Sequence, residues 1–185
     1  MKLFLIRHGQ TVTNLEQRWT GQSEVALTEQ GRREAEEIAP ILAEIPFNKV
    51  FSSDLSRAVI TQQLALPGYT AEQTKLLREF DVGSLEGKLF AEVPVEQRKS
   101  YEYYGGESVK DVCDRVRQFL KSLEGQPWEN VAAFAHNGIL GCAMRVILDA
   151  DISGTVIRSG NCAIHVFEFD GKIWRLLAWN YMKRV

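Results

Sequence analysis

Leu3-Phe4-Leu5-Ile6-Arg7-His8-Gly9-Gln10-Thr11 is the stretch of this sequence on which the prediction of the fold depends. Four consecutive apolar residues bounded by polar ones are typical of a strand buried on both faces, as in parallel sheets covered by helices above and below. Ligands of such sheets bind beyond the carboxyl ends of the strands, where Arg7 and His8 would lie. A surface Arg-His pair after a core strand is the alternative interpretation.

A later stretch has the same organisation. Residues 131–135 are apolar and end at His136, and apolar residues at helical spacing follow. Between the two stretches, Lys49–Ser53 predicts a short strand followed by a helix with Arg57 in its first turn. Free N–H groups at a helix start favour an anion, and an arginine beside them suits phosphate. An arginine exposed on a helix face is the alternative.

Amphipathic helices are predicted between these strands. Thr28 is the expected N-cap of a helix that continues through Glu44, and Pro40 inside it predicts a kink or a break. Ser53 or Asp54 is the expected cap of the helix that carries Arg57. Strands that alternate with helices in this way predict an α/β fold.

The last third of the chain contains three further signals. Ser108 and Asp111 form a capping pattern before the clearest amphipathic helix of the sequence, which Gly125 ends. Asp170-Gly171 lies between two apolar segments and predicts a two-residue β-hairpin loop. His165 lies in the first of these segments and is expected to be a structural histidine of the core.

Length and composition are those of an ordinary globular domain. The chain has 185 residues, 45% hydrophobic and 25% charged, and we expect one domain over 1–185. Its net charge of −2 gives no general attraction for nucleic acid or anionic membranes. The three cysteines have no metal-ligand spacing, and neither a signal peptide nor a transmembrane run is recognisable. A cytoplasmic location is therefore expected.

Residues 77–87 differ in character from the rest of the sequence. Two glycines, and three acidic residues within eight positions, indicate a loop that carries a positioned carboxylate, and Glu79 is the first of them. Residues 80–106 include several aromatic residues and are predicted to form a short lid or insert over the site. Aromatic side chains that cover the core beneath a long loop are the alternative.

Five residues at the ends of predicted strands and at the starts of loops or helices could perform phosphoryl transfer together. They are Arg7, His8, Arg57, Glu79 and His136. The reaction needs positive charge around the phosphoryl oxygens, a nucleophile in line and a proton source for the leaving oxygen. A neutral imidazole can attack phosphorus and form a covalent intermediate. These side chains could supply all of this without a metal.

The motifs around these residues resemble those of the histidine phosphatase superfamily, which includes the cofactor-dependent phosphoglycerate mutases. The matching segments, in order, are Leu5–Thr11, Asn14, Thr20-Gly21-Gln22, Leu27-Thr28, Gly31, Ser52–Ala58, Leu77-Arg78-Glu79 and Ala135–Gly138. They cover nearly the whole chain. The resemblance implies a phosphoglycerate mutase-like fold, a three-layer α/β/α sandwich with a mostly parallel central sheet.

The resemblance also implies a role for each site residue. His8 would be the nucleophile that becomes phosphohistidine, and Glu79 the general acid and then the general base. The phosphoryl oxygens would be held by Arg7, Arg57 and His136. Further contacts to the substrate are expected from Asn14, Thr20, Gly21, Gln22 and Asn137. No metal and no cofactor are implied.

Among members of the superfamily, the chain is most similar to the small phosphatases. Residues 79–87 resemble a pattern of these small phosphatases, although Val82 and Leu85 replace its aromatic residues. Gly105–Ser108 resembles a segment common in the α-ribazole phosphatase branch. The expected partner is a small phosphorylated metabolite, with α-ribazole 5′-phosphate as one candidate.

Three other functions compete with a phosphatase. A phosphoglycerate mutase would be expected to have more basic residues than Lys88, Arg98 and Lys99 in residues 80–106. A protein that only binds phosphorylated ligands would need neither His8 nor Glu79. A dinuclear metal hydrolase is disfavoured because no paired metal-ligand spacing accompanies the histidines.

Overall fold

A computed structural model describes residues 1–94, 101–149 and 159–181. The described residues form a six-stranded sheet in the order β3-β2-β4-β1-β5-β6. Its strands are β1 (Lys2–Arg7), β2 (Lys49–Ser53), β3 (Glu72–Thr74), β4 (Asn130–Ala135), β5 (Ile164–Phe169) and β6 (Trp174–Tyr181). The pairs β1–β4, β2–β4 and β2–β3 are parallel, and β1–β5 and β5–β6 are antiparallel. The predicted α/β class and mostly parallel sheet are confirmed.

Strand β1 occupies the middle of this sheet, between β4 and β5. Arg7, its last residue, is in register with Ala135, the last residue of β4. Because the two strands are parallel and end together, His8 and His136 leave the sheet side by side. The register therefore brings together two residues that are far apart in the sequence.

Helices cover both faces of the sheet. They are α1 (Val12–Leu15), α2 (Glu29–Ala43), α3 (Ser56–Ala65), α4 (Val109–Leu123) and α5 (Asn137–Leu148). Alternate residues of a strand point to opposite faces, so Leu3 and Leu5 pack in the cluster that contains the buried residues of α4 and α5. Phe4 and Ile6 pack in the opposite cluster with α2. Two cores on either side of one sheet make the predicted three-layer sandwich.

Two local predictions were wrong in detail, and a third is settled only in part. Of the kink or break predicted at Pro40, the break is absent and the kink stays a prediction, because the exposed ring removes one N–H and leaves the buried face of helix α2 intact. Leu55, not Ser53 or Asp54, is the N-cap of α3, since the chain stays extended for longer after β2. The hairpin loop spans residues 170–173, because the Asp170 carboxylate accepts the amides of Lys172 and Ile173.

The described part of residues 80–106 contains three short turns of 3₁₀ helix joined by irregular segments. The Trp19 ring packs edge-on against Phe90 and Tyr101, with centroids 4.8 and 5.7 Å away. Tyr101 also contacts the ring of Phe80 at 5.2 Å. These rings adjoin the α4–α5 core, as expected for aromatic residues that cover it. Residues 95–100 lie outside the described residues, so the lid stays a prediction.

All three cysteines are free and buried, consistent with small core residues. Across 1–94, 101–149 and 159–181, no helix combines the length and apolar character that crossing a membrane requires.

Candidate active site

His8 lies directly beyond the end of β1 and is 5% exposed. Its Nδ1 is 2.7 Å from the carbonyl oxygen of Gly9, which can only accept a hydrogen bond, so Nδ1 carries the proton and Nε2 holds a free lone pair. Gly9 itself approaches α2 closely, and a Cβ at this position would lie 2.2 Å from the carbonyl oxygen of Gly31. The backbone here admits only glycine.

His136 lies at the matching position beyond β4, with its ring centroid 5.1 Å from that of His8. Arg57 donates from Nε to His136 Nδ1 at 3.2 Å, so the ring proton of neutral His136 is on Nε2. That Nε2 is buried and has no hydrogen-bond partner. It is a donor available to an anion placed between the two histidines.

Arg57 is 1% exposed, which rules out the solvated arginine considered for this position. Its Nη1 donates to the carbonyl of Ser23 at 3.0 Å, and its Nη2 donates to the carbonyl of Gly21 at 2.6 Å. Burial lowers its pKa, whereas Glu79 and Glu24 act in the opposite direction. With its normal pKa near 12.5, the guanidinium stays charged beside the histidines.

Arg7 reaches the same region from the last position of β1. Its Nη1 donates to the carbonyl of Ser159, and its Nε is buried without a partner. The pKa of Arg7 is lowered by burial and supported by the nearby Glu79 and Glu34 carboxylates. Arg7 therefore adds a second positive charge and another unused N–H.

These surroundings keep both histidines neutral. Burial is the largest cause of the lowered pKa of His8, followed by the charges of Arg57 and Arg7. The pKa of His136 is lowered well below its usual value for the same reasons. A histidine that holds no proton on its Nε2 is the form required of a nucleophile.

Glu79 follows β3 by five residues and contacts the first turn of α5. Its Oε1 accepts from the backbone N–H of Phe80 at 2.9 Å, and its Oε2 accepts from the N–H of Gly138 at 3.0 Å. A Cβ on Gly138 would lie 2.1 Å from Glu79 Oε1, so this carboxylate packs directly against the first turn of α5. The same turn begins after His136.

Asn14 and Asn137 are both close to the strand ends. The Oδ1 of Asn14 accepts from Asn161 Nδ2 at 3.3 Å, and the same Nδ2 donates to the carbonyl of His8 at 3.1 Å. Asn137 is the first residue of α5, where backbone N–H groups have no helical acceptor. Its Oδ1 accepts from the N–H of Ser159 at 3.3 Å.

The predicted contacts Thr20, Gly21 and Gln22 adjoin the site in different ways. Thr20 Oγ1 is buried and has no partner. Gly21 uses its carbonyl to hold Arg57, and Gln22 donates from Nε2 to the carbonyl of Glu79 at 3.2 Å. The polar groups of Gly21 and Gln22 are thus engaged with protein, and contact with a substrate stays a prediction for all three.

Sequence reasoning did not single out two groups of residues that hold this site. Glu86 accepts from the N–H of Gly21 at 2.7 Å and from Ser23 Oγ at 2.6 Å, and so fixes the two carbonyls that bind Arg57. The acid-rich loop was the available signal for it. Arg115 and Glu107 form hydrogen bonds with the backbone of residues 76–81, which include Glu79. Nothing in the sequence distinguishes Arg115 from the other polar residues of α4.

His165 is fully buried, as expected of a structural residue. Its Nδ1 accepts from the N–H of Asn180 at 3.2 Å, so its Nε2 donates to Ser159 Oγ at 2.8 Å. His165 therefore holds Ser159, whose carbonyl accepts the hydrogen bond from Arg7. Within the described residues, no group of three or more His, Cys, Asp or Glu side chains is arranged to hold a metal ion.

The arrangement can bind a tetrahedral anion and attack it. Positive charge comes from Arg7 and Arg57, and unused N–H donors come from Arg7 and His136. His8 offers a lone pair, and Glu79 offers a carboxyl group. These are the groups that phosphoryl transfer requires.

Known proteins resemble this chain in sequence and in fold. The curated relative "Probable phosphoglycerate mutase GpmB" of Salmonella paratyphi A is 28% identical in an alignment 193 residues long, gaps included, that covers 97% of this chain and 90% of the relative. The solved mycobacterial glucosyl-3-phosphoglycerate phosphatase is 28% identical, with a TM-score of 0.87 and coverage of 97% and 98%. A phosphoglycerate mutase of Thermus thermophilus is 29% identical, with a TM-score of 0.72 and coverage of 96% and 99%.

The family profile described as "Histidine phosphatase superfamily (branch 1)" matches residues 3–182, nearly the whole chain. The chain therefore belongs to the histidine phosphatase superfamily, as its motifs predicted.

Proposed function

We propose that this protein is a metal-independent phosphomonoester hydrolase that acts on a small phosphorylated metabolite through a phosphohistidine intermediate. The observation that carries the proposal is the environment of His8. Its Nδ1 is committed to the carbonyl of Gly9, and its Nε2 is free in a site lined by Arg57 and the unpartnered N–H of His136. A protein that only binds phosphate has no need for a nucleophile held in this tautomer.

In the first step, His8 Nε2 attacks phosphorus in line with the ester oxygen. The N–P bond forms as the P–O bond to the leaving group breaks, and protonated Glu79 gives its proton to the departing alkoxide. Arg7, Arg57 and the Nε2–H of His136 stabilise the charge on the phosphoryl oxygens. The alcohol then leaves and Glu79 is a carboxylate.

In the second step, water replaces the alcohol. Glu79 takes a proton from the water as its oxygen bonds to phosphorus, and the N–P bond to His8 breaks. Inorganic phosphate is released and Glu79 is again protonated. The carboxyl group thus serves as acid and then as base, which is the general pattern of two-step displacement.

The leaving group is the open part of the proposal. The relatives described above include a glucosyl-3-phosphoglycerate phosphatase and proteins named as phosphoglycerate mutases, so chains of similar sequence are named for different phosphate esters. The resemblance of Gly105–Ser108 to the α-ribazole phosphatase branch makes α-ribazole 5′-phosphate a candidate. Sugar phosphates, phosphoglycerates and nucleotides complete the panel to be tested.

The test is release of inorganic phosphate from this panel in the presence of a chelator. Wild type should hydrolyse at least one ester, and His8→Ala should abolish turnover. Glu79→Gln should be slower by about 10²–10⁴-fold without being inactive. Quenching wild type during turnover with a ³²P-labelled ester should trap an acid-labile phosphoryl group on His8. No hydrolysis of any ester and no label on His8 would sink the proposal.

Phosphoglycerate mutase activity is the second candidate, because relatives with that name match nearly the whole chain. Its test is conversion of 3-phosphoglycerate to 2-phosphoglycerate with bisphosphoglycerate as primer. Isomerisation faster than phosphate release would replace the hydrolase with a mutase and leave the role of His8 unchanged.

A further inference from the structure

We propose that Arg115 and Glu107 are positioning residues that hold the Glu79 segment in the geometry required for proton transfer to the leaving group. The inference rests on the proposed function, because it assigns these residues a role through the proposed acid. The side chain of Arg115 donates five hydrogen bonds, three to backbone carbonyls and two to Glu107.

The Arg115 guanidinium, on helix α4, binds three consecutive parts of the chain around Glu79. Nη1 donates to the carbonyls of Leu76 at 3.0 Å and Arg78 at 2.6 Å. Nη2 donates to the carbonyl of Glu79 at 3.0 Å. One planar group therefore fixes the orientation of the peptides on both sides of Glu79, and with them the direction in which the Glu79 side chain leaves the backbone.

Glu107 completes this arrangement from the start of the same helix. Its Oε1 accepts from Arg115 Nε at 3.0 Å and its Oε2 accepts from Arg115 Nη2 at 2.9 Å. The same Oε2 accepts from the backbone N–H of Asp81 at 2.8 Å. The pair thus grips residues 76–81 from both ends, with Glu79 between the two contacts.

The pair has the properties of a rigid support. The side chains of Arg115 and Glu107 are only 14% and 25% exposed, so their bidentate ion pair is stronger than one on an open surface. Glu107 precedes Ser108, the N-cap of α4, whose capping box with Asp111 fixes the helix start. Helix α4 packs in the core with α5, which supplies the Gly138 N–H to Glu79.

A displaced acid affects some substrates more than others. Phenyl phosphate releases a basic phenolate that needs protonation, whereas 4-nitrophenyl phosphate releases a stable anion and needs little acid assistance. Because kcat/KM reports the steps up to departure of the leaving group, loss of the acid should lower it selectively for phenyl phosphate. A general structural disturbance should lower kcat/KM by the same factor for phenyl phosphate and for 4-nitrophenyl phosphate.

The experiment measures kcat/KM of wild type, Glu79→Gln, Arg115→Lys and Glu107→Gln with both esters. Lysine keeps the charge of Arg115 and cannot reach three carbonyls and a carboxylate at once. Arg115→Lys should lose about 10- to 100-fold with phenyl phosphate, the loss expected for a misplaced catalytic group, and less than about 3-fold with 4-nitrophenyl phosphate. Glu107→Gln should show the same selectivity to a smaller degree. This variant tests the proposal if Arg115→Lys folds poorly.

Two controls separate this role from others. Arg117→Gln removes an exposed arginine of the same helix, which pairs with Asp114, and should leave both values unchanged. In the Glu79→Gln background, Arg115→Lys should cause no further selective loss of kcat/KM for phenyl phosphate. Substitutions of two residues that act through one group do not have additive effects.

Equal losses with both esters in Arg115→Lys and Glu107→Gln, while Glu79→Gln remains selective, would overturn the inference and leave the proposed function standing. Failure of wild type to form phosphohistidine would instead overturn the proposed function itself.

Discussion

At the scale of single residues, Gly138 matters because it leaves the space that the Glu79 carboxylate occupies. A Cβ there would lie 2.1 Å from Glu79 Oε1 and 2.5 Å from the ring of Phe80. We expect Gly138→Ala to displace the carboxylate and lower kcat/KM by about 10- to 100-fold for an ester with a basic leaving group.

Gly141 provides the matched control for this prediction. It lies one turn further along α5, and a Cβ there meets no atom within 4 Å. Gly141→Ala should keep full activity and stabilise the helix by about 1 kcal/mol, measured by urea denaturation. Equal activity of the two variants would show that Glu79 is not held where the structure places it.

The sequence could predict the residues whose position follows from a strand end. His8 and His136 each end an apolar run, and the two runs are adjacent parallel strands. Arg115 could not be predicted in the same way, because a charged residue on the polar face of a helix usually points into solvent. Its contacts depend on where a distant loop packs.

At the scale of elements, helix α2 shows how tertiary packing can override local preference. Pro40 lacks the N–H that would bind the preceding turn, yet the helix extends from Glu29 to Ala43. We expect Pro40→Ala to raise the free energy of unfolding by about 1–3 kcal/mol, because the residue is exposed and alanine restores the missing bond.

Urea denaturation of Pro40→Ala measures this gain, with Glu37→Ala as the control for an exposed substitution in the same helix. The control should change the unfolding free energy by less than about 0.5 kcal/mol. If Pro40→Ala is no more stable than wild type, the proline does not lower the free energy of unfolding at its position in α2.

Elements with strong periodicity were predictable, and those with weak patterns were not. The stripe of apolar residues in α4 and its Ser108 capping box are both present as expected. Strand β3 escaped prediction, because Glu72-Gln73-Thr74 is short and polar and owes its conformation to pairing with β2. No local pattern marks such an edge strand.

At the scale of the whole molecule, burial of every histidine makes stability depend on pH. His8, His136 and His165 are at most 5% exposed, and the pKa of His165 is lowered to about 3 by burial and by the charge of Arg7. Below about pH 6.5 the unfolded chain binds protons that the folded protein excludes, so stability falls as pH falls.

Urea denaturation between pH 6.5 and pH 5 checks this dependence. Each buried histidine adds at most about 1.4 kcal/mol per pH unit to the slope, so His165→Gln should reduce the slope by about that amount. His165 is not one of the candidate active-site residues, so His8 and His136 remain in the variant and keep their own contributions to the slope. An unchanged slope would show that His165 is protonated in the folded protein.

The sheet order also determines when the site can exist. Strand β1 carries the candidate nucleophile, yet its neighbours are β4 and β5, which begin at residues 130 and 164. While the ribosome makes the first two thirds of the chain, an apolar strand has already emerged and has nothing to pair with. During this interval the strand is exposed and unpaired, which is a state that favours aggregation. The reactive centre is among the last parts of the protein to form.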